Sequence, residues 1–156
     1  MPDPLRVVLD TNILLSGIIN IHSAAGRIFD ACDRRVIILL LSKSVISEYR
    51  FVLTSEEIAE RYPKITKAKV EIALERLRYV AEVVHPVGVN FEYLRDPRDA
   101  KFIELAIAQR ASHIVTADKD LLSLPSDHGD SGRRFRQRAP SVRILDAAAF
   151  VNVAGL

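Results

Sequence analysis

Five short apolar runs separated by segments of helical periodicity set the narrowest limits on how this chain can fold. The runs are Arg6–Leu9, Val36–Leu41, Glu82–His85, His113–Thr116 and Val142–Leu145. Arg6–Leu9 and Val36–Leu41 read as buried strands, and the other three as short strand candidates. Between them, Ile13–Ile19 turns helical, and Ser23–Arg34 places Ala25, Ile28, Phe29 and Cys32 at helical spacing. Ser42 is placed to cap a helix that carries Val45, Ile46, Tyr49, Val52 and Leu53 on one side. Asp99–Arg110 repeats the pattern with Phe102, Ile103, Leu105 and Ala106, Asp118 caps Leu121 and Leu122, and a short Ala-rich helix follows the last strand. Strands alternating with helices predict an α/β fold, a three-layer α/β/α arrangement around a mainly parallel sheet.

The 156 residues read as a single domain, 1–156, long enough for a continuous core. Two stretches depart from the alternation. Ser55–Val80 holds two charged helices split at Pro63 and reads as a helical arm over about 55–80. Residues 125–141 are rich in Gly, Ser and Arg without periodicity and read as a basic loop. The longest apolar run, Val36–Leu41, is far shorter than the about 20 residues a membrane helix needs. The opening MPDPLRVVLD lacks the basic and apolar regions of an export signal, so the expectation is a cytoplasmic protein without membrane contact. Cys32 is alone, which excludes an internal disulfide, and it falls in an apolar helical pattern as a packing residue. A formal net charge of +2 does not by itself announce nucleic-acid binding.

The chemistry lies in the acids. Asp10 ends the first strand, Asp118 ends the run His113–Thr116, and Asp96 and Asp99 stand in the turn YLRDPRD, so the strand-end rule sends them to one edge of the sheet. Glu48 lies at the border of its helix's apolar face and can lean inward. Two carboxylates 4 Å apart repel by about 4 kcal/mol at an effective dielectric of about 20, so such a cluster calls for a cation. The donors are hard oxygens, and His22, His85, His113 and His128 are scattered, so Mg²⁺ or Mn²⁺ fits better than Zn²⁺. Such ions activate water and stabilise in-line displacement at phosphorus, which makes phosphodiester hydrolysis the natural reaction. Each aspartate alone is equally an N-cap, and Glu48 alone an ordinary solvated helix residue; only the four together argue for a site.

The stretches VVLDTNILLSG (Val7–Gly17), LSKSVISEY (Leu41–Tyr49) and RDPRDAKFIELAIAQRASHIVTADKDLL (Arg95–Leu122), with the final strand, resemble the PIN-domain nucleases, in particular toxins of prokaryotic toxin–antitoxin modules. The resemblance implies a metal-dependent endoribonuclease in which Asp10, Glu48, Asp99 and Asp118 are catalytic and hold the metal. It adds Asp120 as an auxiliary acid and Asn12 and Thr116 as hydrogen-bonding supports. The Pro97 turn and the onset of the helical pattern favour Asp99 as the ligand and Asp96 as the turn former. The resemblance also implies a homodimer and a cognate antitoxin.

Arg133, Arg134, Arg136, Arg138 and Arg143 gather around Phe135 with no acid between Ser131 and Ser141. Such a patch suits single-stranded RNA, the arginines meeting phosphates and the ring meeting a base; the alternative is a solvated loop or one ordered by a partner protein. Two other functions stay open beside the ribonuclease: a non-catalytic PIN-like module that binds RNA or protein, and a DNA-directed nuclease. An aspartyl-phosphate phosphotransferase is disfavoured because Asn12 stands where a second Asp is needed.

Overall fold

Val7, Val8 and Leu9 in one strand and Leu39, Leu40 and Leu41 in the next are buried on both faces, so the middle of the sheet is covered on each side, as their unbroken apolar sequence requires. The computed structural model describes residues 3–85 and 87–156; Met1, Pro2 and Pro86, part of the 1–156 span read above, lie outside the described residues. In chain order the elements are β1 (Arg6–Leu9), α1 (Thr11–Ile19), α2 (Ala24–Asp33), β2 (Ile38–Ser42), α3 (Lys43–Leu53), α4 (Glu56–Arg61), α5 (Lys67–Val80) and β3 (Glu82–Val84). A 3₁₀ turn at Pro97–Asp99 leads into α6 (Ala100–Ala108), followed by β4 (His113–Val115), α7 (Lys119–Ser123), α8 (Asp130–Arg138), β5 (Arg143–Leu145) and α9 (Ala147–Ala154).

All strand pairs are parallel and the order is β3-β2-β1-β4-β5. Helices flank this sheet, giving the three-layer α/β/α fold. From β1 the chain first builds outward through β2 and β3, then returns to lay β4 on the other side of β1. The C-terminal ends of β1 and β4 therefore flank a topological switch point, where parallel sheets open a crevice. Val7, Val8 and Leu9 pair with His113, Ile114 and Val115, so the two strands end level. The Asp10 N–H continues the ladder to the Val115 carbonyl at 2.9 Å.

Two sequence readings need correction. The stretch 55–80 is no projecting arm: Val70, Leu74 and Leu77 of α5 recur at i, i+4 and i+7, are buried, and pack the helix against α2, α3 and β2. Nor is 125–141 an irregular loop, because nine of its residues form α8. The helical period there is carried by Gly132, Phe135 and Ala139, and two of these are too small to register as an apolar face. Gly132 is required: a Cβ at that position would stand 2.1 Å from the Asp127 carbonyl oxygen. Cys32 is buried in the core, where burial pushes its thiol up to about 12. Among the described residues no helix is long and apolar enough to cross a membrane.

Candidate functional site

At the switch point Asp10 follows β1 directly and is almost fully enclosed, 6% exposed. Its Oδ1 accepts the Thr11 N–H at 2.7 Å, which caps α1. Its Oδ2 accepts the Thr116 hydroxyl at 2.6 Å and the Asn12 amide at 3.1 Å. Thr116 is fully buried and its Oγ1 also accepts the Asp118 N–H at 3.0 Å, while Asn12 Oδ1 accepts the Ala117 N–H at 3.1 Å. The ends of β1 and β4 are thus stitched by two side chains, and the stitches hold Asp10 and the Asp118 backbone in one frame. Asp118 caps α7 by accepting the Asp120 N–H at 2.9 Å.

Asp99 comes from a different direction. Residues 87–96 form no helix or strand, so this aspartate does not end a strand as the sequence suggested. Pro97 sets the 3₁₀ turn that carries Asp99 to the same edge. Asp96 accepts the Arg98 N–H at 3.1 Å and starts that turn. Burial and the charges of Asp10, Asp96 and Asp118 push the Asp99 carboxyl up to about 7, where it shares a hydrogen bond with Asp118. Asp10 is also raised, by burial first and by the charge of Asp118, against the pull of its hydrogen bonds from Thr116, Thr11 and Asn12. Asp10, Asp99 and Asp118 therefore sense one another, and among the described residues none of the three takes part in a salt bridge.

Glu48 and Asp120 are arranged differently. Glu48 is nearly buried, but its Oε1 meets the Arg98 guanidinium at 2.8 Å and its Oε2 the Lys101 ammonium at 2.9 Å. Asp120 pairs with Arg95 at 3.0 Å. These two acids are already balanced. The helix that bears Glu48 is fixed by its neighbour Tyr49, whose buried hydroxyl donates to the Leu9 carbonyl at 2.6 Å, one residue from Asp10. Burial, and then the Asp10 charge, holds that phenol well above its ordinary range, so it remains a donor.

The donor chemistry fits a hard divalent cation: carboxylate oxygens at a sheet edge, one of them, Asp99, held up at about 7 by burial first and by its acidic neighbours second. Among the described residues no group of three or more His, Cys, Asp or Glu side chains is gathered closely enough to hold a metal ion as it stands. Tyr93 adds a second indication. Its hydroxyl is buried without a hydrogen-bond partner and is pushed up to about 12 by burial and the charges of Asp118, Asp120 and Asp99, with Arg95 opposing. It lines a polar recess of about 440 Å³ with Arg95, Asp120, Asp127 and Asp130.

Of the basic patch expected around Phe135, Arg133, Arg134, Arg136 and Arg138 are exposed but the aromatic ring is not part of it. Phe135 is 1% exposed, because it is the anchor that seats α8, and its ring is closed to a base. Arg133 pairs with Asp130 and Arg134 with Glu92. Arg136 donates to the Pro125 and Asp127 carbonyls, and Arg138 to the Asn90 carbonyl while lying over the Phe91 ring. These arginines bind α8 to its surroundings. Sequence reading also missed Tyr49, Tyr93, Arg95, Arg98 and Lys101. The signal for the last two was present: both lie within three residues of Asp99, at the i, i+3 spacing that places them on one side of the turn and α6.

Residues 6–120 match the PIN domain family. An uncharacterized protein of Methanocaldococcus jannaschii is 31% identical over 124 residues, covering 80% of this chain and 77% of the relative. The matched stretch spans Asp10, Glu48, Asp99 and Asp118, so the chain belongs to the PIN-domain family, whose members are generally metal-dependent nucleases.

Proposed function

We propose that this protein is a Mg²⁺- or Mn²⁺-dependent endoribonuclease that hydrolyses phosphodiester bonds in single-stranded RNA, working as the toxin of a toxin–antitoxin pair. The observation that carries the reading is the uncompensated trio at the β1/β4 switch point, where Asp99 is pushed up to about 7 by burial and by its acidic neighbours. Asp10, Asp99 and Asp118 would hold the cation, and Glu48 and Asp120 would join it by giving up Arg98 with Lys101, and Arg95. A bound divalent cation supplies charge neutralisation at phosphorus and a water acidified enough to attack it. The chain's own part is positional. Thr116 and Asn12 fix the Asp10 carboxylate, and the Asp118 carboxylate is held by its cap on the Asp120 N–H.

A protein partner, whether an antitoxin or a second copy of this chain, is supported by an apolar groove of about 760 Å³ between α1, α2 and α5, where Ile21 and Ile72 are 71% and 69% exposed. The nuclease part is tested with an end-labelled single-stranded RNA and its DNA counterpart. Cleavage of the RNA with Mg²⁺ or Mn²⁺, abolished by EDTA and by Asp10→Asn, is the expected result. Cutting of DNA alone, or equal cutting by wild type and Asp10→Asn, overturns it.

A further inference from the structure

A nuclease for single strands needs cations for the backbone and an open aromatic face for a base. With Phe135 buried, the aromatic half of this combination has to be sought elsewhere. Four cation–aromatic pairs exist among the described residues. Arg138 covers Phe91, which is buried, and Arg61 sits over Tyr62, its own neighbour. Arg35 lies over Tyr79, but these residues precede β2 and β3 and so belong to the sheet edge opposite the acids. The fourth is Arg98 over Phe51, 4.9 Å from the ring centre. It adjoins the carboxylates: Phe51 is three residues beyond Glu48 on α3, and Arg98 immediately precedes Asp99.

We propose that Phe51, Arg98 and Lys101 form the subsite that receives a nucleotide of single-stranded RNA next to the bond to be cut. Phe51 is 64% exposed, although nothing in the packing of α3 requires an aromatic residue there. Arg98 spends one N–H on Glu48 and leaves the rest of its guanidinium, in a side chain 54% exposed, open to solvent. Lys101 is anchored on the other Glu48 oxygen. Without the metal cation Glu48 holds Arg98 and Lys101 beside the acid trio, and once Glu48 turns to the metal both are released to the RNA backbone. An RNA base stacks on the Phe51 face opposite the one that Arg98 covers, and the adjoining phosphate meets the free guanidinium edge and the Lys101 ammonium. The cations also offset the repulsion that an approaching phosphate feels from Asp10, Asp99 and Asp118.

This inference rests on the ribonuclease reading and is tested so that the two fail separately. Binding of 5′-fluorescein decauridylate is followed by anisotropy in an Asp10→Asn background, which halts cleavage, and by KM and kcat in the parent. Phe51→Ala is expected to weaken binding about tenfold and raise KM by a similar factor, with kcat changed less than about threefold. Phe51→Trp, which keeps a stacking face, is expected to bind within about twofold of the parent. Arg98→Met and Lys101→Met should each reduce the salt dependence of binding by about 0.7 in log–log slope. A Phe51→Ala protein that binds decauridylate as tightly as the parent, while the parent still cleaves RNA, overturns the subsite and leaves the nuclease standing. Failure of the parent to bind or cleave RNA overturns both. The metal-induced rise in melting temperature must persist in Phe51→Ala; its loss would mean that the residue supports the metal site rather than the RNA.

Discussion

Replacing Asp99 by Asn should make the metal-free protein more stable while depriving it of metal. The side chain keeps its shape and, as an amide, can still donate to Asp118. What it loses is a charge held against burial and against Asp10, Asp96 and Asp118. Raising the carboxyl from 3.8 to about 7 is a shift of about 3 units, which for a fully enclosed group corresponds to about 4 kcal/mol. Asp99 is only partly buried, and solvent screening reduces the figure to about 1–2 kcal/mol. At this chain length that is a rise in melting temperature of about 3–6 °C. The pH dependence identifies the cause. Below pH 3.8 the carboxyl is neutral in both folded and unfolded chains and costs nothing. As pH rises toward 7 the unfolded chain ionises first, so the folded state holds more protons and the parent loses stability; above 7 the loss is complete. The advantage of Asp99→Asn should therefore be near zero at pH 4 and full at pH 8 in EDTA, read by thermal denaturation across that range. Adding Mn²⁺ should reverse the ranking, because the parent gains binding free energy that the variant cannot. An Asn variant less stable than the parent at pH 8 in EDTA, or an advantage independent of pH, refutes the account of uncompensated charge.

Three further outcomes follow from single contacts. Thr116→Val removes the hydroxyl that donates to Asp10 at 2.6 Å and accepts from the Asp118 N–H, and should lower metal affinity about 10- to 100-fold in a calorimetric titration. Tyr49→Phe leaves the buried Leu9 carbonyl without the phenol and should cost about 1–3 kcal/mol in denaturant unfolding, with unchanged circular dichroism. Gly132→Ala drives a methyl into the Asp127 carbonyl oxygen and should destabilise the α8 region by about 1–3 kcal/mol, seen as faster amide exchange there than in β1.

The parts that reading the sequence recovered are those written in unbroken or periodic apolar residues. Val36–Leu41 announced β2 to within two residues, and Ser42 caps α3 by accepting the Val45 N–H. The stretch 125–141 failed for the complementary reason. Its helix is specified by a close backbone approach at Gly132 and a single aromatic anchor, and neither creates a hydrophobic period. The acids divide along the same line. Asp10 and Asp118 follow strands, so topology alone brings them together. Asp99 arrives from a turn set by Pro97, and its place depends on how the irregular segment before it is folded. The partners of Glu48 and Asp120 are long cationic side chains whose reach no periodicity encodes.

The sorting of the acids by counter-charge bears on why the site can persist without its cation. Five carboxylates at one edge would repel severely, yet Glu48 and Asp120 are neutralised internally, which leaves the repulsion concentrated in Asp10, Asp99 and Asp118. The remaining strain is relieved in part by a proton on Asp99, so at neutral pH an incoming cation must displace that proton. Metal binding should therefore release close to half a proton near pH 7, less at pH 8.5 and more at pH 6, whereas Asp99→Asn should release none from this position at any pH. Calorimetric titration of Mn²⁺ in two buffers of different ionisation enthalpy counts the protons directly. Release that is unchanged from pH 6 to pH 8.5 would show that the proton does not reside on Asp99, and the division between balanced and unbalanced acids would have to be redrawn.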